Sequence, residues 1–408
     1  MISIASTVSP VPLLLLASLG LAQNCEVVAW GLNSNGQCSV PPPNEHFIAV
    51  EGGGSHTLGL KEDGNIVAWG DNDCGQCDVP EPNNGFIAVA CGGSHSLGLK
   101  EDGSIVAWGA GMPGQSGFPH YGQCVVPEPN SGFVAVAAGN VNSLGLKEDG
   151  SIVAWGNNSF GQCDVPSPNT GFVAISAGAA HGLGLKENGS IVPWGNNNYG
   201  QCLVPAPNEE FVAIAGGTYH SLGLKEDGSI EAWGDIWYGQ CFVPSPNSGF
   251  VGIAGGAFHS LGLKEDGSIV AWGYNNHGQC DVPSPNSEFF LVAGGANHSL
   301  GLREISTGVE DVGMLGSFIR IQSVAPNPFS MSTTVVFQSP GLSTLTLQVY
   351  DTAGRLVRSQ PLGNSPAGQH TITWDGRDSL GAGLASGVYL VRLSSEEFQA
   401  STRVVLVR

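Results

Sequence analysis

The chain has 408 residues, enough for two domains with separate cores, and its 61 glycines and 25 prolines exclude a fold built on long helices. Hydrophobic residues make up 41%, with nine tryptophans, which is too much burial for a disordered chain. The net charge of −20 is uneven: residues 319–408 carry seven Arg against five Asp/Glu, leaving seven Lys/Arg against twenty-nine Asp/Glu before them. Such an acidic first part repels phosphate backbones and anionic lipids, so no nucleic-acid partner is expected.

The N-terminus reads as an export leader, although Met1–Pro10 contains no Lys or Arg. An apolar stretch from Val11 to Leu21 meets a small-x-small site, Gly20-Leu21-Ala22, ahead of Gln23. Residues 1–22 are therefore expected to be a signal peptide, and the product secreted or held at the cell surface. The stretch is too short to stay in a bilayer, and no transmembrane segment is expected elsewhere. Cys25 follows Asn24, a poor context for a lipid anchor.

A 39-residue repeat occupies the next 280 or so positions. Trp-Gly recurs at Trp30, Trp69, Trp108, Trp155, Trp194, Trp233 and Trp272. Gly-Gln-Cys keeps the same step, ending at Cys38, Cys77, Cys124, Cys163, Cys202, Cys241 and Cys280. So does His-Ser-Leu-Gly-Leu or a close variant, with His56, His95, His181, His220, His259 and His298, and Asn142 in the third copy. That copy also carries eight extra residues within Ala110–His120.

One unit, Phe211 to Pro244, divides into four strand-like pieces: Phe211–Ala215, His220–Lys225, Ile230–Trp233 and Gln240–Val243. Glu226-Asp227-Gly228-Ser229 is a tight hairpin turn, Asp-Gly supplying the positive φ. Four antiparallel strands per copy predict one propeller blade. The array begins on a third strand, Glu26–Trp30, and ends on a second, His298–Arg303, so the termini are expected to share a blade and close a ring of seven.

The pattern Ala215 to Leu222 and Ala232 to Gln240 resembles the regulator of chromosome condensation repeat. Its compact form, with Val-Pro after Gly-Gln-x, looks most like the propeller-type secreted β-lactamase-inhibitory proteins. The resemblance covers residues 25–304 and implies a seven-bladed propeller with a protein-binding habit. It does not carry nucleotide exchange with it, since fold alone does not transfer function.

After an expected linker at 305–318, residues 319–408 change character. Pro326-Asn327-Pro328-Phe329, Tyr350-Asp351-Thr352-Ala353-Gly354-Arg355, Trp374-Asp375-Gly376-Arg377 and Ser386-Gly387-Val388-Tyr389 punctuate alternating strands such as Thr344–Tyr350 and Gly387–Leu393. Short strands between turns predict a small Ig-like β-sandwich. The motifs resemble the C-terminal sorting domain of type IX secretion, related in shape to the flagellar hook-capping Ig-like module. That resemblance implies a bacterial source, passage across the outer membrane and contact with secretion machinery. The fold class expected for the whole chain is thus all-β: a propeller at 23–304, then the sandwich.

Candidate chemistry is thin. Six copies of one histidine are spread round a ring, whereas a metal needs ligands converging at about 2 Å, so a repeated structural hydrogen bond is expected. Seven Gly-Gln-Cys cysteines cannot all pair among themselves and read as packed thiols, as does Cys91. Cys25 and Cys74 are the best candidates for a bridge. Cys74-Gly75-Gln76-Cys77 has redox or zinc spacing by coincidence of one variable residue, and Asp71–Gly75 resembles a calcium loop without its distal Glu. The six Lys-Glu-Asp-Gly or similar tips read as solvated turns. No phosphate loop or nucleophile elbow is present, so neither a cofactor nor a catalytic site is expected.

What varies within the fixed frame is the position before Gly-Gln-Cys: Asn35, Cys74, Tyr121, Phe160, Tyr199, Tyr238 and His277. Trp237 and Tyr274 lie in the same loops, and Tyr219 and Phe258 precede the repeated His. Variable aromatic tips on a constant frame suit a recognition surface, enlarged by the 110–120 insertion. The alternative is that these rings only pack their loops. The expected function is binding of an extracellular protein or glycan. The alternatives are inhibition of an extracellular enzyme and, with Glu231 as the only unmatched acid noticed, a propeller lyase or glycosidase.

Overall fold

The computed structural model describes residues 25–304, 319–325, 329–350, 355–379, 381–385, 387–395 and 399–406. The expected signal peptide at 1–22, the linker at 305–318 and the motif residues 326–328, 351–354 and 386 lie outside the described residues. The chain divides between Ser306 and Thr307 into two compact units.

The first unit is a ring of seven antiparallel sheets. Blade 5 shows the plan: Phe211–Gly216 pairs with His220–Lys225, which pairs with Ile230–Gly234. Blades 1 to 4 and blade 6 repeat it from Phe47, Phe86, Phe133, Phe172 and Phe250. In blade 7, Phe289–Gly294 and His298–Glu304 receive their third strand from the N-terminus, Cys25–Gly31, with Val27 opposite Leu302 and Trp30 opposite Ser299. Arg303 Nη2 meets the Glu26 carboxylate at 2.7 Å across this seam. Ring closure joins the two ends of the unit as their truncated repeats require.

Each blade has three strands, not four. The expected fourth piece, Gln240–Val243 and its equivalents, forms turns. Its place at the outer edge is taken by one asparagine side chain from the link to the next blade. Asn247 accepts from Ile230 N–H and donates to Ile230 C=O, at 2.8 and 2.9 Å. Asn44, Asn83, Asn130, Asn169, Asn208 and Asn286 do the same for the other blades. A side-chain amide carries the donor and acceptor of a peptide group, so it satisfies a strand end where prolines in the link supply no N–H.

Three sets of contacts lock neighbouring blades. Each Trp indole donates to the Gln carbonyl of the preceding loop, as Trp233 does to Gln201 at 2.9 Å. A closed circle of seven backbone hydrogen bonds runs from Gly54–Gly92 to Ala296–Gly53. The six histidines form the third set. Fully buried, each places Nε2 at 2.9 to 3.1 Å from a hydroxyl in the next blade: Ser96, Ser143, Ser221, Ser260, Ser299 and, closing the ring, Thr57. Those hydroxyls spend their own protons on Gln carbonyls, so each imidazole donates from Nε2. Burial pushes them down to about 4 for His56 and His181 and about 3 for the rest. The structural reading of the histidines holds, with the bond crossing between blades rather than staying within one. At the remaining seam Asn142 stands for His, and the next blade has Gly182 where others have Ser or Thr.

The lysines are not merely solvated tips. Each lies over the Phe that opens its blade, from 3.4 Å for Lys186 to 4.8 Å for Lys225, and donates to link carbonyls. Arg303 covers Phe289 in the seventh. None of the ten cysteines is disulfide-bonded. Cys25 pairs opposite Glu304 at one end of its blade, whereas Cys74 follows Gly70 at the other end of the fold, so the expected bridge is excluded by topology.

The second unit is a five-stranded antiparallel sheet. Thr333–Tyr350 pairs along its whole length with Leu356–Trp374; its first half also pairs with Arg320–Ala325 and its second with Gly387–Ser394, which pairs with Gln399–Leu406. Register shifts between Leu342 and Thr346 divide the halves. Alternate side chains, including Phe337, Leu347, Val349, Trp374, Val391 and Leu393, form its core.

Candidate recognition face

Strand register puts two loop sets on one face of the propeller. Gly234, ending a third strand, pairs with His220, which starts a second. The loop after Trp-Gly and the turn before the His therefore emerge together, and the Asp-Gly hairpins lie at the opposite end.

The repeated Gly-Gln-Cys builds the loop that carries the variable residue. Gln201, buried, accepts the backbone N–H of Tyr199 on its side-chain oxygen at 2.9 Å, while its own carbonyl receives Trp233 and Ser221 of the next blade. Cys202 donates from Sγ to the Asn196 carbonyl at 3.2 Å, and Gly200 turns the chain at a φ of 82°. All seven Gln side chains pin the variable residue's N–H in this way. The thiols are held neutral: burial pushes those of Gly-Gln-Cys up to about 11 or 12. Backbone is fixed and side chain free, which is what a variable tip needs. Asp71 accepts from Gln76 Nε2 at 2.9 Å, a turn contact rather than a calcium ligand. Among the described residues no group of three or more His, Cys, Asp or Glu could hold a metal.

Six of the nine candidate residues join into one ribbon crossing three blades. Ring centroids run Tyr199 to Tyr219 at 4.7 Å, Tyr219 to Phe258 at 6.0 Å, Phe258 to Tyr238 at 5.2 Å, Tyr238 to Tyr274 at 4.8 Å, and Tyr274 to His277 at 5.9 Å. Tyr219, Phe258 and Tyr274 are half-buried in it, while Tyr199, Tyr238 and His277 are exposed. Packing and presentation are thus combined in the same rings. Tyr121, Phe160 and Trp237 are exposed without a ring partner in the ribbon, Trp237 at 80%.

The sequence reading missed the aliphatic part of this face. Leu203, 65% exposed, Ile236 and Phe242 stand beside Tyr199, Trp237 and Tyr238 in the same two loops. Val125 and Phe118 are exposed likewise in the inserted third loop, Phe118 at 77%. The signal lay one residue after Gly-Gln-Cys, where Asp78, Asp164 and Asp281 bond to a loop Asn but Val125, Leu203 and Phe242 cannot. Glu231 is no channel acid: it lies on an outer third strand opposite Gly223. An acid that was overlooked, Glu51, lines the central channel together with Gly, Ala and Val residues.

A family model for the regulator of chromosome condensation (RCC1) repeat matches residues 47–76, 86–111, 133–162, 172–201 and 250–279, and one for the FlgD Ig-like domain matches 329–397. The chain is an RCC1-type propeller joined to an Ig-like domain. Among solved structures it is similar to Prp20p from Saccharomyces cerevisiae, at 19% identity and a TM-score of 0.60 over 74% of this chain and 97% of that one. Human WBSCR16 is similar at 18% identity and a TM-score of 0.53, over 69% and 99%. No curated protein matches.

Proposed function

We propose that this chain is a secreted or cell-surface recognition module that holds a protein on the loop face of its propeller. The observation that carries it is the ribbon of six rings continued by exposed Leu203, Ile236, Trp237 and Phe242. Clustered aromatic and aliphatic side chains on pinned loops are the composition of a protein-binding hot spot, more than of a sugar platform. Prp20p, described with its binding to Gsp1p and histones, supports a protein-binding use of this fold. The apolar N-terminal stretch and the Ig-like unit support export, the latter as a sorting domain. The chain acts by binding, not by catalysis.

Immobilised full-length chain retains its partner from the extracellular fraction. Tyr199→Ala, Trp237→Ala and Tyr238→Ala together should weaken that affinity at least tenfold in a chain that still unfolds cooperatively, at a somewhat lower melting temperature because Tyr199 and Tyr238 lose their ring contacts. Equal affinity removes this face from the account. A hydrolase whose turnover vanishes at one equivalent would make the module an inhibitor acting through the same residues.

A further inference from the structure

We propose that the central channel, in the half nearer the loop face, binds one organic ammonium group, with Glu51 as its counter-ion. The channel encloses about 290 Å³ and is lined by the ends of the seven first strands and the turns that follow. The same collar position is Ala90, Ala137, Ala215, Ala254 and Ala293 in five blades, Ser176 in another, and Glu51 in blade 1. Five blades close with only a methyl group there, and Ser176 alone uses its side chain between blades, accepting from Gly216 N–H at 3.0 Å, so ring closure does not require a carboxylate.

Among the described residues that line the channel, none carries a positive charge to balance Glu51. The titratable groups there are Glu51, Cys91 and Tyr219. Cys91 donates from Sγ to the Glu51 carbonyl at 3.3 Å, and its thiol is pushed well above the ordinary range, so it stays neutral beside the acid. His56 and His298, behind the collar glycines, are neutral as well. Burial raises Glu51 to about 8, so at pH 6.5 and with no cation beside it the side chain is a carboxylic acid.

Three features select the ligand. One carboxylate falls far short of the six to eight oxygens calcium takes, so a metal ion is poorly served. The volume stands at the lower bound of ligand sites, roughly 300 Å³, which suits a single side chain or small amine rather than a sugar chain. The walls are mostly Gly and Ala, with Asn140, Ser176, Thr218 and Tyr219 among them, so they leave room for a slim stem and offer polar atoms to a charged N–H tip, the shape of an alkylammonium or a lysine. Binding converts the acid to a carboxylate and passes its proton to solvent: the ammonium keeps its own proton, and one H⁺ leaves per ligand bound.

Calorimetric titration of the full chain with n-butylammonium chloride at pH 6.5, in two buffers of different ionisation enthalpy, tests this without reference to the ribbon or its partner. One site per chain and release of one proton are expected. Glu51→Ala, which installs the residue most blades already have, and Glu51→Gln should each lower affinity at least tenfold without lowering the melting temperature. Nα-acetyl-lysine amide separates the sources: binding at least tenfold tighter than butylammonium assigns the site to a partner's lysine, and equal or weaker binding to a free amine. No binding of either, unchanged affinity in Glu51→Ala, equal binding of n-butanol, or competition by equimolar K⁺ overturns the proposal.

Discussion

Gly217 lies three residues before His220, and a Cβ built on it would come within 2.1 Å of His220 Cε1 and 2.3 Å of Nδ1. The buried imidazole rests on the bare Cα, with its Nδ1 given no other partner and its Nε2 committed to Ser260 at 3.0 Å. Close approach, not a left-handed turn, therefore requires the glycine, and the same holds before each of the other five histidines. Gly217→Ala must displace the ring and break the bond between blades 5 and 6. A loss of about 3 kcal/mol in urea-unfolding free energy is expected, whereas Gly249→Ala, with open space around its Cβ, tests only the cost of its φ of 68°.

At the scale of the element, a blade ends on a side chain instead of a strand. Asn169 holds both backbone groups of Ile152 at 2.8 Å, and no fourth strand follows. Asn169→Ala leaves that N–H and C=O without partners at the outer edge, a cost of about 2 kcal/mol. Asn169→Asp keeps the acceptor but cannot donate, and should recover only part of it. Hydrogen exchange at Ile152 measures this directly: protection of its amide should fall in the alanine variant and survive in the aspartate one. Equal protection in both would mean that the packed edge, not the amide, seals the blade.

For the whole molecule, the histidine ring sets the response to acid. The six imidazoles titrate near 3 or 4 when folded and near 6.5 when free. The unfolded chain thus binds more protons between those values, and stability present above pH 6.5 is lost as pH falls toward 4. Each site contributes up to about 1.4 kcal/mol per pH unit, and six together make the transition steep. Glu51 has the opposite sign, its raised value favouring the folded chain at low pH and losing that advantage as pH rises through 8. One group cannot offset six below pH 6.5. Chemical denaturation between pH 4 and 8 should show a stability maximum somewhat above pH 7 with a sharp acidic flank. A flat profile from pH 6.5 to 5 would contradict the buried neutral ring.

The 39-residue period, the Asp-Gly turns and the unfinished repeats at either end determined seven blades and their closure, because each reports a local backbone requirement that recurs at a fixed step. The nine aromatic candidates were legible for the same reason: they vary where their neighbours do not. Only the tertiary structure decided which of them meet, since Tyr199 and Tyr219, twenty residues apart, touch solely because adjacent blades put their loops on one face. It also decided that the fourth strand is an asparagine, that Cys25 and Cys74 lie at opposite ends of the fold, and that Glu51 faces a channel. Those outcomes depend on distances between repeats, and a repeated sequence describes one unit and its period but not the space enclosed when seven of them meet.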